Sequence, residues 1–205
     1  MTKRNISWFL NLHFALFIMR IIIGLGNPGE QYKNTRHNAG FMAVDFLSKK
    51  YNLRWEMNKK FNALICKYEN NFIVKPLGFM NNSGQTANLI LSYYKLLPKK
   101  LKFIRVKNSN LSDILTVIHD DVDIDFGKYK IAVNSRSAGH NGVQSIINYL
   151  KTTNFQRVRI GIRSENMNKM PLEKFVLQKF NSEELQTITF CIKKALNTEI
   201  CLEHH

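Results

Sequence analysis

Residues 21–40, IIIGLGNPGEQYKNTRHNAG, decide the fold. The three isoleucines that open the stretch read as a strand buried on both faces, the kind found in the middle of an α/β sheet. Gly24-Leu25-Gly26-Asn27-Pro28-Gly29 follows and matches G-x-G-x-x-G. That pattern holds a dinucleotide when a helix begins at its third glycine, so that free amides meet a pyrophosphate. Here Pro28 removes one amide, and the next eight residues, EQYKNTRH, have almost no apolar content from which to build a helix face. Asp45 stands near the distance expected of a ribose-binding acid, but inside a predicted helix rather than at the end of a second strand. A nucleotide-dependent oxidoreductase is therefore disfavoured. A tight turn at the carboxyl end of the strand accounts for the residues better, and ligands of open α/β sheets bind at that edge. The turn sets Asn27 beside a loop carrying Tyr32, Arg36 and His37. On those residues alone, Asn27 and Asn38 are better explained as satisfying the turn and capping the next helix.

Outward from this stretch, strand and helix patterns alternate. Asn38 opens a helix through Lys50, and residues 62–75 form a hairpin around Glu69-Asn70-Asn71. Ala87, Ile90, Leu91 and Tyr94 repeat at helical spacing after Asn82-Ser83-Gly84, as do Val143, Ile146, Ile147 and Leu150 after SAGHNG. ILTVI (114–118) is a buried strand ending in the acidic run His119-Asp120-Asp121-Val122-Asp123. Lys128–Val133 and Phe155–Arg163 alternate as half-buried strands do, the second with Arg157, Arg159 and Arg163 on one face. A closing helix starts near Asn181, with Glu184 at the capping-box position. The expected fold is α/β: a single domain with a central twisted mixed β-sheet flanked by helices, and an active-site crevice at the carboxyl edge of the strands.

Charge is the unusual part of the composition. Against 15 Asp+Glu stand 30 Lys+Arg, a net +15 over 205 residues, which predicts attraction to a polyanion or else a lysine-rich solvated surface. The three cysteines, Cys66, Cys191 and Cys201, form no C-x-x-C, which argues against a disulfide framework or zinc site and fits a reducing compartment. Residues 1–18 imitate an export signal with Lys3, Arg4 and WFLNLHFALFI. Asn11 and His13 interrupt the run, however, and it is too short to span a bilayer. The expected organisation is an extension at 1–18, one domain at 19–201 opening with MRIIIGLGNPG, and a purification-tag remnant at 202–205. No heptad or long apolar edge points to an oligomer, so a monomer is the default.

Five ordered segments, GLGNPGEQYKNTRHNAG, PLGFMNNSG, VIHDDVDIDFGKYK, SAGHNG and FQRVRIGI, resemble the motifs of bacterial-type peptidyl-tRNA hydrolase, and KFVLQKFNSEEL resembles that family's closing segment. The resemblance covers about residues 19 to 195. It implies a cytoplasmic, metal-independent esterase without cofactor. Such an enzyme cleaves the bond between a peptide and the 3′ ribose of tRNA, so that the tRNA returns to translation.

Ester hydrolysis at neutral pH needs a base for the attacking water and a donor for the oxyanion. The loop offers His37 and the later strand Asp120, an imidazole and the type of carboxylate that orients one. No G-x-S-x-G elbow is present, so single-step attack by water fits better than an acyl-enzyme. The resemblance makes His37 the base, Asp120 its partner, and Asn27, Asn81 and Asn141 the amides that hold the peptide and ester end, with helix capping as the alternative for the last two. Tyr32 and Met80 are expected to line the groove. His140 is expected as an RNA-side contact, and Lys130 and Arg159 as the grip on the tRNA 5′ phosphate. Ala132 departs from the family, standing where a basic residue is usual, which would shift the grip toward Lys130 or Arg136. PKKLKFIRVKNSN (98–110) is a second departure, a basic insertion that either extends the tRNA footprint or is a solvated loop. Asp120, Asp121, Asp123 and Asp125 suggest Mg²⁺, but strand alternation sets Asp120 apart from the other three. A non-catalytic RNA-binding relative is the other alternative, and the presence of both His37 and Asp120 counts against it.

Overall fold

In a computed structural model, which describes residues 19–100 and 104–200, the isoleucine run is β1 (Ile21–Gly24), buried along its whole length. Its side chains alternate between two layers. Ile21 and Ile23 pack with Ile90, Leu91, Val143 and Ile146, whereas Ile22 packs with Val44, Leu47, Ile188 and Ile192. Each isoleucine contributes about 1.5–3 kcal/mol by leaving water, and the split places helices on both faces of one sheet. The expected extension at 1–18 and tag remnant at 202–205 lie outside the described residues.

The remaining strands are β2 (Glu56–Asn58), β3 (Ala63–Tyr68), β4 (Asn71–Pro76), β5 (Lys99–Lys100), β6 (Ile104–Arg105), β7 (Leu115–Asp125), β8 (Tyr129–Ala132) and β9 (Gln156–Arg163). The helices are α1 (Ala39–Lys50), α2 (Ser83–Tyr93), α3 (Asn141–Leu150), α4 (Leu172–Val176) and α5 (Ser182–Glu199). Seven strands form the sheet in the order β2-β3-β4-β1-β7-β9-β8. β1 runs parallel to β4 and β7, and β7 parallel to β9, while β2, β3 and β8 are antiparallel to their neighbours. This mixed sheet brings the carboxyl ends of β4, β1, β7 and β9 to one edge. α1 and α5 cover one face; α2 and α3 cover the other.

Close approach of α1 to that edge requires Gly40. A Cβ there would lie 2.3 Å from the Ile118 carbonyl oxygen and 2.4 Å from the Leu25 nitrogen, both of them backbone atoms that cannot swing away. Gly40→Ala is expected to destabilise the protein by about 3 kcal/mol or more, lowering the thermal midpoint by roughly 6–12 °C. Calorimetry checks this.

The structure departs from the sequence reading in three places. β7 does not stop before the acidic run but carries it, pairing with β9 as far as Asp125 with a register shift after Asp121. Asp120 is therefore inside a strand. Second, Asn38 makes no cap bond for α1, because its amide is used elsewhere. Third, Arg157 is no part of an exposed basic face: it is 1% exposed, its Nη1 donates 2.8 Å to the Arg136 carbonyl, and it lies opposite Ala132 in the register. β5 and β6 form a hairpin separate from the main sheet. The segment after it is tied to the turn beyond α3 by Asn108 N–H to Lys151 O (2.9 Å) and Leu111 N–H to Asn154 O (2.7 Å). The basic insertion thus sits about 15 Å of helix away from Asn141. No helix among the described residues is long and apolar enough to cross a membrane.

Candidate active site

Two loops leave the carboxyl edge side by side and are bolted together by asparagine side chains. After β1, the Asn27 N–H donates to Asn38 Oδ1 (2.8 Å) and Asn38 Nδ2 donates to the Asn27 carbonyl (3.0 Å). After β4, the Met80 N–H donates to Asn27 Oδ1 (2.9 Å). The Asn27 side chain is therefore held by its oxygen, and its Nδ2 makes no hydrogen bond among the described residues. That leaves an oriented donor at the sheet edge. Met80 is buried, and a Cβ on Gly142 would strike its sulfur at 2.6 Å, so Met80 links the Asn27 loop to the start of α3.

His37 sits in the short turn between that loop and α1, with Nδ1 3.0 Å from both oxygens of Asp120. Asp120 is reached from the other side by His140, whose Nε2 lies 3.0 Å from Oδ1. The protons on this network follow from chemistry. His140 Nδ1 accepts from the N–H groups of Gly142 (3.1 Å) and Val143 (3.3 Å), capping α3, so its proton is on Nε2 and points at Asp120. An ionised Asp120 accepts from both rings. His37 then carries its proton on Nδ1, leaving Nε2 with a free lone pair.

Burial tends to raise the Asp120 carboxyl, but His37 and His140 outweigh it and hold the group far below the usual carboxylate range. Burial tends to lower His37, yet the Asp120 charge and hydrogen bond leave its pKa above the usual value. His119 is different. It is 1% exposed, its Nδ1 donates to the Asp120 carbonyl (2.6 Å), and burial, then His140, keeps it neutral well below the usual range. It is not a base.

His37, Asp120 and His140 place ligand atoms within 4.8 Å of one another, close enough to hold a metal ion. The two backbone amides on His140 Nδ1 oppose this. A metal on Nε2 would have to displace the proton there while Nδ1 stays an acceptor, which makes the ring an imidazolate. The set suits hydrogen bonding better. The acidic run offers no cage either: Arg159 Nε donates to Asp121 (2.6 Å), and Lys128 and Arg163 both engage Asp125.

A family model described as peptidyl-tRNA hydrolase matches residues 21–204. The chain belongs to that family. The peptidyl-tRNA hydrolase of Mycoplasma mycoides is 42% identical over 177 residues, 83% of this chain and 85% of the relative. That of Bacillus cytotoxicus is 37% identical over 182 residues, 87% and 90% of the two chains. The crystal structure of peptidyl-tRNA hydrolase from Acinetobacter baumannii superposes with a TM-score of 0.72 at 30% identity, covering 87% of this chain and 85% of that one.

Asn141 is exposed and opens α3, but the cap is His140; Asn81 is exposed within the turn Met80–Asn82 and caps nothing. The capping alternative therefore applies to neither. His37, Asp120, His140 and Asn141 line one cavity of about 190 Å³ with Leu172 and Val176 of α4. Tyr32 meets Phe79 edge-on at 6.5 Å, and Phe79 is 57% exposed. Lys130 and Arg159 are direct cross-strand partners. Lys130 is exposed, whereas Arg159 is partly covered and tied through Nε to Asp121. Both ring nitrogens of His140 are engaged within the protein, so it has no polar atom for an RNA without breaking a bond to Asp120 or the helix. Its place beside Asp120 was missed by sequence reading, as was Arg36, buried next to His37 and paired with Glu184 at 2.6 Å.

Proposed function

We propose that this hydrolase cleaves the ester joining a peptide to the 3′ ribose of tRNA by direct attack of water, with His37 as general base. The observation that carries the proposal is the free Nε2 of a histidine whose other nitrogen is fixed by a buried carboxylate. His37 takes a proton from water as the water oxygen bonds to the ester carbonyl carbon, and the resulting imidazolium is stabilised by Asp120. The carbonyl oxygen becomes an oxyanion, which neutral amide donors such as Asn27 Nδ2 and Asn141 stabilise. Collapse breaks the carbon–ribose oxygen bond and His37 returns the proton to that oxygen, giving tRNA with a free hydroxyl and a peptide carboxylic acid, which loses its remaining proton to solvent. Asn81, Tyr32 and Met80 flank the peptide, and His140 holds Asp120. The enzyme works in the cytoplasm as a single-domain monomer over residues 19–201, with neither metal nor cofactor. The test is an assay in excess chelator with N-acetyl-aminoacyl-tRNA beside free aminoacyl-tRNA. The blocked substrate is expected to be cleaved and the free one spared, because a charged α-amino group is badly placed among neutral amides. Cleavage that chelator abolishes would sink the metal-free reading.

Lys130 and Arg159 grip phosphate. Lys130→Gln should flatten the slope of log affinity against log salt by about 0.7 to 0.9, one contact's worth. The triple exchange Lys99→Gln, Lys100→Gln and Lys107→Gln should leave that slope unchanged, since the insertion is anchored beyond the far end of α3. Filter binding of tRNA over a salt series measures both.

A further inference from the structure

His37 stands between two buried anchors. On one side Asn38 is bolted to Asn27. On the other, Arg36 is 2% exposed, and its stretch of chain is stitched to the segment that joins α4 to α5. The Phe180 N–H donates to the Asn34 carbonyl (2.9 Å), the Arg36 N–H donates to the Gln178 carbonyl (2.9 Å), and Thr35 bridges to Lys179 between them. The Arg36 guanidinium lies near three rings from three segments: Phe126 after β7 (6.0 Å), Phe175 of α4 (4.8 Å) and Phe180 before α5 (5.0 Å). Its Nη2 donates to Glu184 Oε1 (2.6 Å), while Glu184 Oε2 accepts from the Asn181 N–H (3.0 Å). One side chain thus joins the turn before His37 to α4 and to the start of α5.

As a source of stability this arrangement is poor. A buried guanidinium gives up its hydration, and here Nε and Nη1 have no hydrogen-bond partner among the described residues. The carboxylate it pairs with is shared with the cap of α5. Contact with the rings offsets part of the loss, yet well-packed apolar side chains often replace buried ion pairs without destabilising a protein. What the cation supplies is geometry. It fixes the residue before His37 against α4, and α4 contributes Leu172, Glu173 and Val176 to the wall of the His37 cavity. Arg36 itself is not part of that wall. We propose that Arg36 is a positioning residue, which sets the direction of His37 Nε2 relative to α4 without touching substrate; the inference rests on the hydrolase reading above. A reacting group displaced by about 1 Å loses on the order of 10²-fold in rate, so a slight loosening of this turn is enough to be seen.

The experiment uses Arg36→Met, an unbranched apolar side chain suited to a site among three phenylalanines. Its thermal midpoint is expected to stay within about 4 °C of the wild type. Its kcat on N-acetyl-aminoacyl-tRNA, per folded molecule, is expected to fall at least about tenfold, with KM changed less than about threefold. Arg36→Lys keeps the charge and a donor for Glu184 but not the planar fork. It should fall only about threefold in kcat, and it carries the test should Arg36→Met fail to fold. A readout free of turnover is the proton NMR signal of His37 Nδ1–H, assigned by its absence in His37→Ala. That signal should shift or broaden in the Arg36 variants, which a purely structural role would not cause in the folded fraction. Wild-type kcat per folded molecule in the variants overturns the proposal. So does an unmoved His37 signal, or a loss of kcat/KM that lies wholly in KM. A wild type that does not cleave the substrate overturns the hydrolase reading, and this one with it, and is told apart because no variant is involved.

Discussion

His37→Ala is expected to lower kcat on N-acetyl-aminoacyl-tRNA by at least about 10²-fold, with KM changed by less than about threefold. Among the described residues that line the cavity, the substitution removes the one imidazole nitrogen left free to accept a proton. His140 cannot replace it, since Nδ1 caps α3 and Nε2 faces Asp120. His119 cannot either: its Nε2 has no partner, but the ring is buried and does not line the cavity where water would attack. Binding should survive because Asn81, Asn141, Lys130 and Arg159 come from other segments, and the Asn27 side chain is held by the Met80 N–H rather than by His37. Single-turnover rates separate the two effects, with an unfolding curve to show that the variant is folded. The wild-type rate should rise with pH through an inflection above 6.5, as Asp120 holds the His37 proton more tightly than usual. The variant's residual rate should lack that inflection. An unchanged rate in the variant would place the base elsewhere.

Features set by neighbours along the chain were legible in the sequence. β1 announces itself by three isoleucines, and the closing helix by Asn181 and Glu184, which form both bonds of their box at 2.8 and 3.0 Å. The His37–Asp120 pairing was legible only because the motifs were read together with a fold that sends both segments to one edge. What stayed hidden depends on distant partners. Asn38 looks like a cap until Asn27 is known to lie against it. His140 has no local signature as a helix cap or as a second donor to Asp120. Arg157 and Arg159 alternate identically on paper, yet one is buried and the other reaches Asp121, because the turn bearing Arg136 covers only the first. Arg36 is the extreme case. The sequence shows it only as one residue of the loop carrying His37, but it is enclosed near the rings of Phe175 (4.8 Å) and Phe180 (5.0 Å) and bonded to Glu184 of the α5 capping box, 148 positions away.

Asp120→Asn is expected to cost about 10³-fold or more in kcat while keeping the fold. An amide of the same shape offers one accepting oxygen where two histidine protons converge, so its NH₂ group meets at least one of them. If it meets His37, the ring turns over or shifts its proton to Nε2, and the free lone pair no longer faces water. Any imidazolium that does form lacks a counter-charge. The inflection in kcat/KM should therefore fall below its wild-type position, which simple local damage to packing would not do. Stability carries a second signature, with its sign fixed by linkage. The lowered Asp120 pKa contributes stability that is present above about pH 4 and is lost as acid protonates the group. The raised His37 pKa contributes stability that is full below about pH 6.5 and is lost as pH rises through the folded value. Both are present together only between about pH 4 and 6.5. The gap in thermal midpoint between wild type and Asp120→Asn should be widest in that window and narrow on either side. A gap that does not vary with pH would mean that the two groups do not share a charge.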